Sequence, residues 1–426
     1  MLTVNENSRY FVPAPSVGSI LGDAELAALD RVVRSGESLS QGRWRDEFEQ
    51  AMREHIGSRY AMTVTSGTVA VALAVHLLDL APGDEVIVTP QTFKATADPL
   101  LAHDVTVRFC DVEPDTLNVD PASFESLITP RTRALILVHY GGRPARMDEI
   151  MRVARRHGVR VIEDCAHALG ALYRGRRPGV LGDIGCFSFH SSKNITTLGE
   201  GGMLTFGDPE WAERVDRIRS NAADGAFVPS PLRAGPYDRA EPWMMWAGDS
   251  YENECLRVRH PGGNATLSEA GAAVGLVQLE RLGELAQRRR WIAGRLAQTL
   301  AEFPQVRLAE VPEDVHHPYH LFTFFVRPGQ GASRDDVIRA LEDAGVQVQV
   351  RYFPLHLRPE WRGRGHRLGE CPVTERVWFH EQVNLPCYPS MTDGQVEHLV
   401  LALKSALTGR RGAGGDGTPD YEEARA

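Results

Sequence analysis

Apolar residues recur along this chain in two periods that alternate. Asp23 precedes AELAALDRVVRSG, whose apolar positions repeat at helical spacing as far as Gly36. A second helix is predicted over 44–56, stopping at Gly57. Residues 60–65 read as a strand, Ser66-Gly67-Thr68 as a turn, and VAVALAVHLLDL as a helix. The alternation continues with strands over 85–89, 105–110, 134–139 and 159–162. Helices are predicted between them, one running to about His103 and others over 120–127 and 147–157. Strands alternating with amphipathic helices mean crossover connections, hence an α/β fold with a mostly parallel sheet. A further strand over 186–189 follows the Gly-rich passage after Ala171.

The second half changes texture. Residues 222–261 are rich in Pro, Gly, Arg and aromatics (Tyr237, Trp243, Trp246, Tyr251, with Met244 and Met245) and show no period. Such a stretch is either a lid or partner surface, or a locally packed excursion. A long amphipathic helix is predicted over 267–290, then strand 319–326, helix 335–344, strand 346–350 and a last helix over 393–406. The expected organisation is an arm (1–22), a large domain (23–266) and a bridging helix with a smaller C-terminal α+β domain (267–408). A polar, Gly-rich tail (409–426) is expected to be disordered.

Candidate chemistry gathers where predicted strands end. Strand 159–162 runs into Glu163 and Asp164, and strand 186–189 into Ser191-Ser192-Lys193. Carboxyl ends of strands in an open α/β sheet face the ligand crevice. A lysine that can form a Schiff base, with a carboxylate able to keep a pyridine nitrogen protonated, is the pair that pyridoxal phosphate requires. Ser66-Gly67-Thr68 opens a helix, where free N–H groups and the positive dipole end suit a phosphate, although plain N-capping explains the same residues. Phe93 also ends a strand and could stack on a ring or serve as a core aromatic. His139-Tyr140-Gly141-Gly142 ends another. Arg351, Tyr352 and His356 form a polar-aromatic turn that either meets a substrate or is a solvated loop.

Composition narrows the field. With 426 residues, 42% hydrophobic and 24% charged, the chain suits a large globular enzyme, and a net charge of -9 argues against nucleic-acid or anionic-membrane binding. Six scattered cysteines without a C-x-x-C pair fit free thiols in a reducing compartment. No secretory signal or membrane span is visible, so a cytoplasmic location is expected. His316, His317 and His320 match no standard zinc spacing, and no metal is expected. PGQGASR lacks the third glycine of a dinucleotide fingerprint and reads as a turn.

Many short blocks in one order carry a more specific signal. They include SQG (40–42), TSGTVA (65–70), GDEVIVTPQTF (83–93), VEPDTLNVDP (112–121) and PRTRALILVHYGG (130–142). VIEDCAHALGA (161–171), GDIGCFSFHSSKN (182–194), GEGG (199–202), GGN (262–264) and NLPCYPSMT (384–392) follow. Together they resemble the DegT/DnrJ/StrS family of PLP-dependent sugar aminotransferases, whose fold is the type I PLP-dependent transferase fold. The resemblance implies pyridoxal 5'-phosphate as cofactor and Lys193 as the lysine that holds it covalently and shuttles protons. It places Asp164 at the pyridinium nitrogen, His167 near the ring hydroxyl and Phe93 against the ring. Gly67 and Thr68, with Ser188, would hold the phosphate, and Asn264 would reach the phosphate in a neighbouring subunit of a homodimer with shared active sites. Where relatives often read G-x-N-Y-R, this chain has Gly262-Gly263-Asn264-Ala265-Thr266, without the arginine.

The expected reaction moves an amino group from L-glutamate to a keto sugar, such as a nucleotide-linked 4-keto-6-deoxy sugar, in amino-sugar biosynthesis. An L-glutamine-dependent cyclitol (inosose) aminotransferase shares all these motifs. A regulatory PLP-binding protein is a third reading, against which the intact Lys193, Asp164 and Ser188 speak.

Overall fold

The structure, a computed structural model, describes residues 9–229, 241–244 and 254–409. Seven strands form the main sheet: β1 (Tyr60–Val64), β2 (Glu85–Val88), β3 (Thr106–Phe109), β4 (Thr132–Val138), β5 (Arg160–Asp164), β6 (Ile184–Ser188) and β7 (Gly202–Phe206). Their spatial order is β1-β7-β6-β5-β4-β2-β3. β7 runs antiparallel to both neighbours, and the pairs from β6 to β3 are parallel. The sheet is therefore mixed but mostly parallel, as the alternating periods imply. Its central strands are buried over most of their length, which is why they read as runs such as LILV and not as polar-apolar alternation.

Helices cover both faces. In α1 (Asp23–Ser35) Ala28 and Val32 are buried, and in α2 (Arg43–Ile56) Trp44, Phe48, Met52 and Ile56 lie one turn apart on the buried face. Each ends on a left-handed glycine, Gly36 and Gly57. The helix expected over 267–290 is two helices, α-helical over Glu269–Glu280 and again over Leu282–Leu300, with the break at Arg281. The first keeps its small-residue face on α2: a Cβ on Gly275 would lie 2.8 Å from the Phe48 ring. The second turns Ile292, Leu296 and Leu300 into a separate core with Phe322, Phe324, Val383, Leu385 and Leu403. One straight helix could not serve both cores.

Other expectations are corrected. The helix predicted up to His103 is a pair of 3-10 turns, Lys94–Thr96 and Asp98–Ala102, with Pro99 removing an N–H that an α-helix would need. Residues 346–350 form no strand, only single bridges from Val346 to Val12 and from Gln349 to Asn384. The aperiodic 222–261 stretch holds an antiparallel hairpin, β8 (Asp224–Pro229) with β9 (Glu254–His260). Asp224 anchors it, accepting from His76 Nε2 at 2.9 Å and Arg214 Nε at 3.1 Å. Trp243 is exposed, while Tyr237, Met245, Trp246 and Tyr251 lie outside the described residues, as do 410–426 of the predicted tail. Among the described residues no helix is long and apolar enough to cross a membrane.

The described part of the arm is irregular yet anchored. Val12 exchanges backbone hydrogen bonds with Gly345 and Gln347, and Gly18 N–H donates to Ser191 O at 2.8 Å. A Cβ at Gly18 would fall 2.1 Å from Ser192 O, so only glycine passes over this loop. The fully buried Arg289 fastens the seam, donating to Cys387 O at 2.6 Å, to Tyr319 O at 3.2 Å and to Gly18 O. Burial pushes its guanidinium down to about 10, still charged near neutrality. Arg289→Met would leave three carbonyls without donors, an expected loss of about 3 kcal/mol. Urea unfolding should show a lower midpoint; an unchanged midpoint would mean that water replaces the guanidinium without cost.

Candidate active site

The carboxyl ends of β1, β2, β5 and β6 open onto one cavity of about 470 Å³. β1 leads through Ser66, extended at φ -163°, into α3 (Gly67–Leu77), and Ser66 Oγ accepts from Val69 N–H at 3.2 Å. That cap uses one of the first-turn donors; those of Gly67 and Thr68 have no partner within the helix. A Cβ on Gly67 would sit 2.7 Å from Ser188 Cβ, and one on Gly202 2.3 Å from the Ser66 carbonyl carbon. The helix start, Ser188 and β7 are thus packed as closely as backbone allows, forming a small polar cradle.

Asp164 closes β5. Its Oδ2 accepts from Thr96 Oγ1 at 2.6 Å and its Oδ1 from Ala166 N–H at 3.0 Å. Thr96 is held in turn by Thr92 Oγ1 at 2.7 Å. Lys193 lies in the turn after β6, where its N–H donates to His190 O at 2.9 Å. Burial pushes its amine down to about 8; Asp164 acts against that shift and the Arg351 charge with it. The next residue, Asn194, donates to Leu169 O at 2.9 Å, so its Oδ1 accepts from His320 Nδ1 at 3.0 Å. The lysine loop is fixed from both sides.

His167 is buried between aromatic rings, stacked on His320 at 4.3 Å and on Tyr352 at 5.9 Å. Burial holds its pKa well below the ordinary imidazole value, with Lys193 and Arg351 adding to the effect. Tyr352 Oη meets His167 Nε2 at 3.2 Å, and His167 Nδ1 is buried without a partner. Phe93, 49% exposed, packs edge-on against Tyr352 at 5.8 Å.

Of the residues singled out from sequence, Gly67, Thr68, Phe93, Asp164, His167, Ser188 and Lys193 all line this one cavity. Asn264 does not: it is exposed, bridged to Ser220, on a segment whose Ala265 O accepts Thr65 N–H at 3.0 Å. Arg351 and Tyr352 join the lining, whereas His356 is buried elsewhere on Glu375 at 2.8 Å. Thr96 and Asn194 carried no sequence signal. His320 had one, as part of a histidine cluster, but its role is packing and hydrogen bonding beside His167. Among the described residues, the one trio close enough for a metal is His139, Glu163 and Cys165. The Glu163 carboxylate there is occupied by the N–H groups of Gly179, Leu181 and Gly182 and by His139. It braces the turn between β5 and β6.

Residues 19–404 match the DegT/DnrJ/EryC1/StrS aminotransferase family. The chain is 34% identical over 393 residues to the spore coat polysaccharide biosynthesis protein SpsC of Bacillus subtilis (strain 168), covering 92% of this chain and 96% of that protein. It is 33% identical over 400 residues to the GDP-perosamine synthase of Caulobacter vibrioides, covering 94% and 98%. The crystal structure of the aminotransferase TlmJ from Streptoalloteichus hindustanus aligns with a TM-score of 0.80 at 32% identity, over 93% of this chain and 99% of that one. The chain belongs to the DegT/DnrJ/EryC1/StrS family and is an aminotransferase.

The lowered amine makes a stability prediction. The folded-state value of Lys193 is below the unfolded one, so between about 8 and 10.5 the unfolded chain binds more protons and stability rises with pH. Lys193→Met should therefore stabilise the cofactor-free protein below pH 8, and the gain should shrink as pH climbs to 10.5. Urea midpoints across that window test it; a gain independent of pH would place the amine in water.

Proposed function

We propose that this member of the DegT/DnrJ/EryC1/StrS family uses pyridoxal 5'-phosphate to move an amino group from L-glutamate to a keto sugar, with a nucleotide-linked 4-keto-6-deoxy sugar as the acceptor. The observation that carries the reading is the placement of a lysine amine lowered to about 8 and a donor-fixed carboxylate in one cavity with a helix N-terminus. The sugar acceptor is supported by the relatives, one named for spore coat polysaccharide biosynthesis and one as GDP-perosamine synthase. Those names favour a sugar over the cyclitol alternative.

The residues present fit the cofactor. The cradle at Gly67, Thr68 and Ser188 would take its phosphate, since the first-turn N–H groups of Gly67 and Thr68 have no partner within the helix and Ser188 packs directly against Gly67. Asp164, already satisfied on each oxygen by one donor, keeps lone pairs for the ring nitrogen. The Arg351 side chain bonds Tyr352, whose hydroxyl is then free to donate to His167 Nε2. That leaves the unpartnered His167 Nδ1 as an N–H donor for the ring hydroxyl oxygen. Phe93 offers its face to the ring. Asn264, outside its own chain's cavity, would approach the phosphate end in a second copy of the chain, which makes the enzyme a homodimer with shared sites.

When bound, the cofactor supplies a carbonyl that condenses with an amine and a ring that accepts the electron pair released at carbon. The protein does the rest. Asp164 holds the proton on the ring nitrogen. The Lys193 amine is unprotonated in a large fraction of molecules near pH 8, so it can act as a nucleophile. The same amine, as a free base, would move a proton between the donor α-carbon and the product-forming carbon. His167 and the partly buried Tyr352 line the cavity, with His320 stacked behind His167, and would limit the access of water to that transfer.

Lys193→Ala should bind the cofactor without its yellow absorbance band and lose turnover of L-glutamate to 2-oxoglutarate by at least roughly 10²–10⁴-fold. Turnover at the wild-type rate would overturn the assignment of Lys193. Asp164→Asn should bind cofactor but release 2-oxoglutarate about a hundredfold more slowly or less, because the ring nitrogen loses its counter-charge; unchanged release would remove Asp164 from the mechanism.

A further inference from the structure

Arg351 is the one guanidinium lining the cavity, and its backbone is held with unusual care. Its N–H donates to Asn384 Oδ1 at 2.8 Å. Its carbonyl accepts from Gln91 Nε2 at 3.1 Å, from the Tyr140 hydroxyl and from Gln382 Nε2. These four side chains also bond one another, Gln91 Nε2 to Gln382 Oε1 at 3.0 Å and Gln382 Nε2 to Tyr140 Oη at 2.7 Å. All four are buried. Gln91 and Tyr140 come from the ends of β2 and β4, Gln382 and Asn384 from a strand of the smaller core, Gln382–Leu385. Two cores thus converge on one peptide unit. Burying so many polar groups costs stability unless every one is satisfied, and what it secures is a fixed origin for the side chain.

The charge of that side chain is unbalanced. Among the described residues no carboxylate lies within ion-pair distance of the Arg351 guanidinium; its protein contact is the Tyr352 hydroxyl. The cavity's two acids are otherwise placed, Asp164 on Thr96 and Ala166, and Glu200 at the rim 3.8 Å from His190. A partly buried guanidinium facing a cavity is completed by a planar anion, which its fork binds through two parallel hydrogen bonds. Arg351 is also close enough to Lys193 for its charge to act on the amine. In an amino acid the carboxylate hangs on the same carbon as the reacting amine, so it must sit next to whatever group the amine approaches.

We propose that Arg351 receives the α-carboxylate of the amino-acid donor and so selects α-amino acids for the first half of the reaction. This rests on the aminotransferase reading above and adds to it a donor-specificity residue. The network of Gln91, Tyr140, Gln382 and Asn384 positions Arg351, and it links donor recognition to the closeness of the two cores.

The test uses single turnovers of the cofactor-loaded enzyme with L-glutamate and with 4-aminobutanoate, the same chain without the α-carboxylate. In Arg351→Gln, the preference for L-glutamate over 4-aminobutanoate should fall on the order of a hundredfold, because any effect through Lys193 or His167 is common to both amines. Arg351→Lys, which keeps the charge without the fork, should recover part of the loss. Equal effects on both amines would overturn the proposal by assigning Arg351 to the cofactor or the fold, and so would no effect on either. If L-glutamate is unaffected while the keto-sugar half-reaction fails, the anion is a phosphate of the acceptor and the proposal is wrong. A wild-type enzyme that reacts with no L-amino acid would instead overturn the aminotransferase reading, and this inference with it.

Discussion

A carboxylate taken out of water must find donors, and Asp164 finds one for each oxygen, Thr96 from the turns after β2 and Ala166 from its own strand end. That requirement draws the end of β2 against the end of β5, and Thr92 and Thr96 complete the short relay. With the acid fixed, a lysine on the neighbouring strand end shares its surroundings. Burial lowers the amine and Asp164 limits how far it falls. The pair is useful because neither effect runs to completion: the acid stays acceptor-rich and the amine stays near neutrality in its titration.

The second dependence is on the seam between the two cores. Arg289 gathers carbonyls from the arm, from the segment before β10 (Phe322–Val326) and from the segment after β11 (Gln382–Leu385). The network around the Arg351 peptide does the same with side-chain amides. Both are buried and polar, so small displacements would strand donors and acceptors. The seam is therefore stiff where it borders the cavity. Phe93 remains half-exposed there, and the hairpin of β8 and β9 is tied by Asp224 to His76 and Arg214.

The mostly parallel sheet was legible because its strands are buried on both faces and read as apolar runs between amphipathic helices. The reach of that logic ended at particular residues. Pro99 turned an expected helix into 3-10 turns. The alternating stretch 346–350 (VQVQV) found no strand partner beyond single bridges. No strand was predicted for β7, which starts at the end of the GEGG block, yet it is the antiparallel member that brings Gly202 against Ser66. The break at Arg281 came from packing, since the alanines and glycines of one half fit α2 and Ile292, Leu296 and Leu300 of the other fit the smaller core.

By itself the sequence determined the chemistry: an acid after one apolar run, a lysine after another, and a small-residue turn opening a helix. Those features are local, and strand ends in such a sheet converge by topology alone. Tertiary structure decided what surrounds them. Thr96 against Asp164, His320 stacked on His167, and Arg351 aimed by four buried side chains are contacts between positions 31 to 260 residues apart. No spacing rule joins such residues; burial, with its demand that each polar group be paired, does.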